Sequence, residues 1–324
     1  MKNVFVTGGS GFLGRNLIAE LVRRNVAVRA LSRSEEASAK VQSLGAEPVP
    51  GDLGSYKAIV ESVKGCDTVF HLAAKVDDWG PYDEFYKTNV EGTENMLAAA
   101  KAAGVGTFAH ASTDAVLAGG RPIVKADETW PKPRRPLGYY PLTKGMAEDR
   151  VLAANSPLLR TVVIRPRLVW GPGDTSVLGK MESSVRSGMW MWLSGGRYLT
   201  STCHVFNVCA ALLLAAEKGF GGGIYFVTDG EPIEFRHFAT ALLQSRGLNP
   251  GRKSIPLPLA KIAARFMETT WRLLRVSCRP PVTPCGLALI GVETTLNDSK
   301  IRRELGYEPV MTIQDGLKNL FTAA

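Results

Sequence analysis

An α/β fold, a doubly wound parallel sheet with a smaller, interleaved C-terminal lobe, follows from three features of this chain. Short apolar runs alternate with amphipathic stretches over the first two-thirds. A glycine-rich turn separates the first run from the first amphipathic stretch. The alternation loosens after about Gly171 and then returns once. Strand–helix–strand alternation sets parallel strands side by side with helices on both faces.

The elements follow in order. NVFVT, AVRALS, TVFHLA, GTFAHAS and RTVVIRP have the length and apolar continuity of buried strands. LIAELVRRN, YKAIVESV, GTENMLAAAKAAG and KGMAEDRVLAAN carry apolar residues at helical spacing. Glycine and proline then punctuate WGPGD, SGGR and GFGGG, yet a helix, VCAALLLAAEKG, and a strand, GIYFVTD, come back. The expected division is a sheet domain over 1–170, rejoined by elements at about 204–230, and a second lobe over 171–324 interleaved with it. The segment over 256–276 mixes apolar residues with Lys261, Arg265, Arg272 and Arg275. It fits an ordinary amphipathic helix on the core, a wall of an apolar pocket, or a peripheral membrane contact.

Composition narrows the classes. With 324 residues, 45% of them apolar and 21% charged, the chain can bury a large core without covalent staples. Its five cysteines, Cys66, Cys203, Cys209, Cys278 and Cys285, form no Cys-x-x-Cys pair, which suits reduced buried thiols in an intracellular, cytoplasmic protein. The N-terminal stretch lacks the apolar core of a secretion signal, and no run approaches the roughly eighteen apolar residues of a membrane span. Net charge is +9, but the lysines and arginines are spread out, thickening only at Lys132–Arg135 and from Arg252 to Arg279. That pattern argues against nucleic acid and leaves a solvated basic surface, a phosphate-rich cofactor or an anionic membrane surface. His71, His110, His204 and His237 are too scattered to suggest a metal site.

The turn TGGSGFLG follows the first strand and opens the first helix. Gly8, Gly11 and Gly14, with Ser10, Phe12 and Leu13 between them, have the spacing of a dinucleotide-binding turn. Glycine permits positive φ and close approach of backbone to a phosphate, and the helix start offers free N–H groups to a pyrophosphate. The second strand ends at Ser32-Arg33-Ser34, without the acid that would accept from ribose hydroxyls. Hydroxyls and a guanidinium suit a 2′-phosphate, so NADP(H) is favoured over NAD(H). The competing reading leaves Arg33 in solvent while NAD(H) binds without the usual acid. Asp52 and Leu53 after the third strand suit the adenine, or Asp52 caps the helix starting near Ser55.

In GYYPLTKGM only Tyr140, not Tyr139, stands four residues before Lys144. Pro141 suits a helix's first turn, so the helix carrying Lys144 is expected to begin at the tyrosine pair. A Tyr-x-x-x-Lys pair is common by chance. Here it stands downstream of both the glycine turn and STDAV.

Taken together and in order, TGGSGFLG, GDL, DTVFHLAA, TNVEGT, HASTDAV, YPLTK, IRPRLVWGPGD and HVFNV resemble the extended short-chain dehydrogenase/reductase family from Val4 to about Val208. LNDSKIRRELGYEP resembles its closing segment, and RPRLVWGPGD with EKGFGGGIYFVTDGEP is most similar to its branch of 3β-hydroxysteroid and sterol-4α-carboxylate 3-dehydrogenases. The resemblance implies a Rossmann-type sheet, a nicotinamide dinucleotide and a Thr113–Tyr140–Lys144 catalytic set, with Ser112 a neighbouring candidate. It also implies that Leu72, Ala73, Ala74 and Lys75 line the cofactor and that Asn89 lies near the nicotinamide ribose. Pro166 to Leu168 would approach the nicotinamide amide. Tyr140 would act as general acid/base, its phenol shifted toward the working range by the Lys144 cation and the bound nicotinium, with Lys144 also on the cofactor ribose. Family members often pair through helices beside this region, so the resemblance extends to a homodimer.

Departures from the family pattern point to the substrate. The stretch Thr200-Ser201-Thr202-Cys203 before His204 lacks the arginine that contacts the diphosphate in nucleotide-sugar enzymes. Thr113-Asp114-Ala115 lacks the glutamate of sugar dehydratases, and Phe206 replaces an aspartate of mostly structural importance. Met189, Trp190, Met191 and Trp192 fit either an apolar cleft or core packing. The expected activity is interconversion of a secondary alcohol and a ketone on a small hydrophobic substrate, a steroid or 3-oxo lipid. The rivals are a nucleotide-sugar epimerase or dehydratase and a non-catalytic dinucleotide-binding sensor.

Overall fold

The computed structural model describes residues 1–274, 276 and 278–322. Seven strands form the main sheet: β1 (Asn3–Thr7), β2 (Ala27–Ser32), β3 (Glu47–Pro50), β4 (Thr68–His71), β5 (Thr107–Ala111), β6 (Arg160–Pro166) and β7 (Gly223–Val227). They lie in the order 7-6-5-4-1-2-3, every neighbouring pair parallel. The winding reverses between β1 and β4, so a crevice opens beyond their C-terminal ends, where doubly wound sheets bind ligands.

Strand alternation builds the two core layers. Val4 and Val6 of β1 face one way and meet Leu17, Ile18 and Leu21 of helix Phe12–Arg23 and Val208, Leu212 and Ala215 of helix Val205–Lys218. Phe5, between them, faces the other way and joins Val69, Phe108, Ile59, Met96 and Val151. Both faces of the sheet are covered, which is why its strands read as continuous apolar runs rather than alternating ones.

The second lobe is threaded through the first. After β6 the chain leaves the sheet, returns as helix Val205–Lys218 and edge strand β7, then leaves again. A four-stranded sheet in the lobe runs Ile233–Glu234, Leu199–Thr200, Thr294–Leu296 and Ile123–Ala126. The last of these comes from well before Gly171, so the lobe draws on the first half of the chain too. The segment over 256–276 forms helix Leu257–Leu273, whose Ala260 and Ala264 pack on Leu287 of helix Pro284–Ile290. Arg275 lies outside the described residues. No described helix is long and apolar enough to cross a membrane. Four cysteines are buried, but Cys278 is exposed, against the expectation that all five are buried; it sits in an irregular stretch on the surface, where nothing packs over it.

One carboxylate ties the interleaved parts together. Asp229, just past β7, accepts from Trp170 Nε1 (2.7 Å), Thr202 Oγ1 (2.7 Å), His204 N (2.5 Å) and Asn207 Nδ2 (2.7 Å). Its donors span the exit from β6, the crossing back to the sheet and the start of helix Val205–Lys218. Asp229→Ala leaves these buried donors without an acceptor, and a loss of about 3 kcal/mol or more is expected. Urea unfolding of variant and wild type reads it directly.

Candidate active site

The glycine turn fits a phosphate because nothing larger than hydrogen fits its backbone. Gly8 adopts φ +71°, and a Cβ there would lie 2.8 Å from Ala73 N. A Cβ on Gly14 would lie 2.1 Å from Gly8 O, so the helix can sit this close to the turn only with glycine. Gly11 donates to Gly8 O (3.1 Å) and stands at the N-cap of helix Phe12–Arg23, which has no side-chain cap. Its first-turn N–H groups, in the stretch of Ser10, Phe12 and Leu13, are left to meet an anion. The loop after β4 is held against this turn. Ala73 N donates to Thr7 Oγ1 (3.2 Å) and Leu72 N to Thr7 O (3.3 Å), with Ala74 and Lys75 following half-buried.

At the far end of the crevice the residues divide. Ser32 is buried and donates to Ala30 O (3.3 Å), so its hydroxyl serves its own strand. Ser34 caps helix Glu35–Gln42 by accepting from Ala37 N (3.2 Å). Arg33 is exposed and pairs with no protein group among the described residues. Asp52 accepts from Gly54 N (2.6 Å), closing its own turn; Ser55, not Asp52, is the N-cap of helix Tyr56–Val63. Leu53 packs against Gly92, and its carbonyl accepts from Asn95 Nδ2 (2.8 Å).

Tyr140 and Lys144 lie on helix Tyr139–Ala153, which starts at the tyrosine pair with Gly138 at φ +108° as its N-cap. Thr113 ends the segment after β5 and caps a short 3-10 turn by accepting from Ala115 N (3.1 Å). Tyr140 is half-buried, with its phenol beside Thr113. Burial pushes its pKa well up, the Thr113 bond pulls it down, and the Asp114 and Cys285 charges push it up again. This is the reverse of the downward shift expected from Lys144. The lysine amine points elsewhere: Nζ donates to Ala111 O (2.7 Å) and lies 3.2 Å from His110 Nε2. Burial brings Lys144 down to about 8, with Glu148 one turn on opposing the fall.

Two candidates for cofactor contact prove to be engaged by the protein. The Asn89 amide accepts from Lys75 N (2.7 Å) and donates to Lys75 O (3.1 Å) and Thr143 Oγ1 (3.0 Å). It therefore ties the loop after β4 to the catalytic helix, from a π-helical turn over Lys87–Glu91 that re-aims side chains along the helix. Ser112 donates to Glu148 Oε2 (2.8 Å). Glu148 also takes two bonds from Arg165 (2.9 and 2.5 Å) and pairs with Lys132 (2.9 Å). This buried cluster fastens the catalytic helix to β6, and sequence reasoning missed it because neither charge carries a motif. The Arg167–Asp114 pair (2.6 Å), also buried, was missed for the same reason. Pro166 ends β6, and Leu168 two residues on is held at φ +44°, a conformation uncommon for a side-chain-bearing residue.

A small cleft of about 60 Å³ opens beside Tyr139, lined in part by Trp79, Phe85, Leu137, Arg272 and Cys285. Arg272 stacks on both Trp79 and Tyr139 (5.0 Å each) and donates to Tyr139 Oη (3.1 Å). Asp78 clamps the far wall, accepting from Arg279 (2.9 and 2.7 Å) and Thr283 (2.6 Å). The tryptophan pair assigned to the substrate lies elsewhere. Trp192 is buried in the lobe core against Phe235, its indole donating to Gly251 O (3.0 Å). Trp190 packs edge-on to it (5.2 Å), and Met189 and Met191 are exposed. The tetrad is thus part core and part surface: the two tryptophans pack on each other and the two methionines face solvent.

The sequence model of the 3-beta hydroxysteroid dehydrogenase/isomerase family matches residues 5–259. The chain is 50% identical over 316 residues to a 4-hydroxy-2-methyl-3-oxo-4-farnesyl-3,4-dihydroquinoline-1-oxide ketoreductase of Stigmatella aurantiaca, covering 98% of this chain and 95% of that protein. It is 35% identical over 329 residues to a decarboxylating sterol-4-alpha-carboxylate 3-dehydrogenase of Dictyostelium discoideum, covering 99% and 100%. Among solved structures, UDP-glucose 4-epimerase of Thermotoga maritima matches with a TM-score of 0.77 at 21% identity, over 99% of this chain and 97% of that one. At that identity the likeness is one of fold.

The Glu148 cluster sets a pH-dependent expectation. Burial raises the Glu148 pKa, but Arg165 and Lys132 outweigh it and hold it below 4.5. A depressed carboxylate stabilises the fold fully above its unfolded value and loses that contribution as pH falls through the folded one. Glu148→Gln is therefore expected to cost about 3 kcal/mol at pH 7. The gap between variant and wild type should narrow below about pH 4.5, as urea unfolding across that range will measure.

Proposed function

The chain belongs to the 3-beta hydroxysteroid dehydrogenase/isomerase family and is an NAD(P)-dependent oxidoreductase acting on the CH–OH or ketone group of hydrophobic substrates; within that class we propose an NADP(H)-preferring enzyme in which Tyr140 moves the proton. The observation that carries the reading is the placing of Tyr140 beside Thr113 at the end of β5, Lys144 one turn further on, at the crevice bearing the glycine cradle. A nicotinamide dinucleotide, held at the turn of Gly8, Gly11 and Gly14, supplies the hydride when bound.

The chain's own residues handle the oxygen. The phenol that burial keeps protonated carries the proton that a developing oxyanion takes up, and Thr113 steadies that oxyanion. Lys144, its pKa brought to about 8 by burial, keeps its amine on Ala111 O and beside His110. In the oxidative direction the same groups run in reverse. Arg33, exposed and unpaired at the end of β2, is placed for a 2′-phosphate, and no acid at that position opposes one.

Substrate class rests on the cleft and on the relatives' named substrates, a farnesylated quinoline oxide and a sterol carboxylate. Trp79, Phe85, Leu137 and Tyr139 present apolar and aromatic surface to it. A nucleotide sugar is poorly served. Thr200 is engaged with Arg167, Ser201 with Leu296 N and Thr202 with Asp229, so these hydroxyls are committed to the protein rather than to a diphosphate.

Tyr140→Phe removes the transferable proton and leaves the glycine cradle intact. Turnover of a cyclic or 3-oxo ketone with NADPH should fall at least 100-fold while cofactor binding, read by fluorescence, stays within a few-fold. Turnover at wild-type rate would sink the proton-transfer role. Activity confined to UDP- or TDP-sugars in a panel with steroids and 3-oxo lipids would overturn the substrate class. Arg33→Ala should weaken NADPH binding by about tenfold and leave NADH nearly unchanged; a wild type that prefers NADH refutes the cofactor choice.

A further inference from the structure

Helix Leu257–Leu273 is built inside out for a helix that only packs on a core. Its buried face is made of small residues, Ala260 (3% exposed) and Ala264 (0%), while its large apolar residues point to solvent. Leu259 is 56% exposed, Ile262 66%, Phe266 72% and Leu273 77%, and Leu274 follows at 70%. At 100° per residue, the four on the helix fall within roughly 60° of arc, on the side away from the two alanines. They form one continuous stripe rather than scattered surface residues.

Charge along the stripe has one sign. Arg265 lies on its flank, and Arg252 and Lys253 stand in the loop leading into the helix. All three are exposed, and none takes part in an ion pair among the described residues. The helix's only acid, Glu268, is already paired with Arg272 (2.7 Å). The loop is joined to a second apolar surface: Trp192 N donates to Lys253 O (2.9 Å), which sets the exposed Met191 and Met189 beside the basic pair. A stripe of large apolar side chains with unpaired cations at its edge is the pattern of a helix that lies in a lipid interface. A second copy of the chain would bring these cations face to face; an anionic bilayer neutralises them.

We propose that the Leu259–Ile262–Phe266–Leu273 stripe docks this protein onto anionic lipid bilayers. The surface goes beyond the catalytic reading and does not depend on it. It does place the reaction: Glu268 and Arg272 of the same helix line the cleft beside Tyr139, so a docked helix sets that cleft next to the phase in which apolar substrates dissolve.

The test is co-sedimentation of the full chain with vesicles of phosphatidylcholine alone and of phosphatidylcholine with phosphatidylglycerol. Wild type should partition onto the anionic vesicles at least tenfold more strongly, and salt should weaken it. The triple substitution Leu259→Ser, Ile262→Ser, Phe266→Ser should abolish partitioning, and Arg265→Glu with Lys253→Glu should weaken it several-fold. All five positions lie outside the cleft and the catalytic set, so thermal melting and turnover of a soluble ketone should match wild type and confirm folding. Wild type that stays in the supernatant with anionic vesicles, or a triple variant that still binds them, overturns the proposal. So does a wild-type dimer by light scattering that the triple variant splits while vesicles fail to bind, because the stripe is then a self-interface. A catalytically dead protein that docks normally would count against the enzymatic reading alone.

Discussion

The closest approach in the molecule governs the rest. Helix Phe12–Arg23 meets the turn after β1 so tightly that Gly14 faces Gly8 O with no room for a methyl group. Because the helix starts there, its free N–H groups are aimed into the crevice where the sheet's winding reverses. Because Gly8 in turn leaves no Cβ space beside Ala73, the loop after β4 can close on the same turn. Thr7, bonded to both Ala73 N and His71, then passes the geometry on to the floor of the site. A cofactor cradle, a loop and a row of buried polar side chains thus follow from two missing methyl groups.

From that floor the order spreads by hydrogen bonds, not by apolar packing. His71 lies between Thr7 (2.8 Å) and Thr93 (3.0 Å), and Thr93 donates to Asn89 O (2.6 Å). Asn89 holds both the loop after β4 and Thr143 on the catalytic helix. On the other side Glu148 binds that helix to β6 through Arg165 and to the end of β5 through Ser112. Tyr140 and Lys144 are therefore fixed by two polar networks, one on each side, and buried networks of this kind specify position more than they add stability.

This explains what could be read from the residues alone. The sheet domain was legible because buried parallel strands and the helices between them have opposite, regular periods, and because a glycine turn in that context has few other uses. Tyr140, Lys144 and Thr113 were singled out through spacing and order, and the fold brings Tyr140 beside Thr113. Asn89 and Ser112, named for the cofactor, are held by protein partners that no motif marks. A linear motif marks proximity to a site, whereas Asn89 reaches Lys75 and Ser112 reaches Glu148 only after long-range folding. Trp192 was ambiguous for a related reason: a tryptophan in a short irregular stretch looks the same whether it walls a cleft or, as here, fills a core. The inverted helix over Leu257–Leu273 was equally hidden, since its moment is that of any amphipathic helix and only the fold shows which face is out.

The electrostatics of the site follow from how little charge it admits. His71 and His110 stack 5.4 Å apart and are both held neutral, chiefly by burial and then by the Lys144 cation, His71 falling to about 3. The lysine is the basic group whose charge acts on both rings. Its amine has two neighbours there, the carbonyl of Ala111 and the ring of His110, and the nearest acid acting on it is Glu148, already committed to Arg165. Burial is what brings its pKa down to about 8, against the opposing pull of Glu148, and burial also raises the neighbouring phenol. The two groups start close together on the proton scale and are driven apart, the lysine downward and the tyrosine upward. Burial thus disfavours charge on both groups: it keeps the phenol protonated and loosens the proton of the lysine.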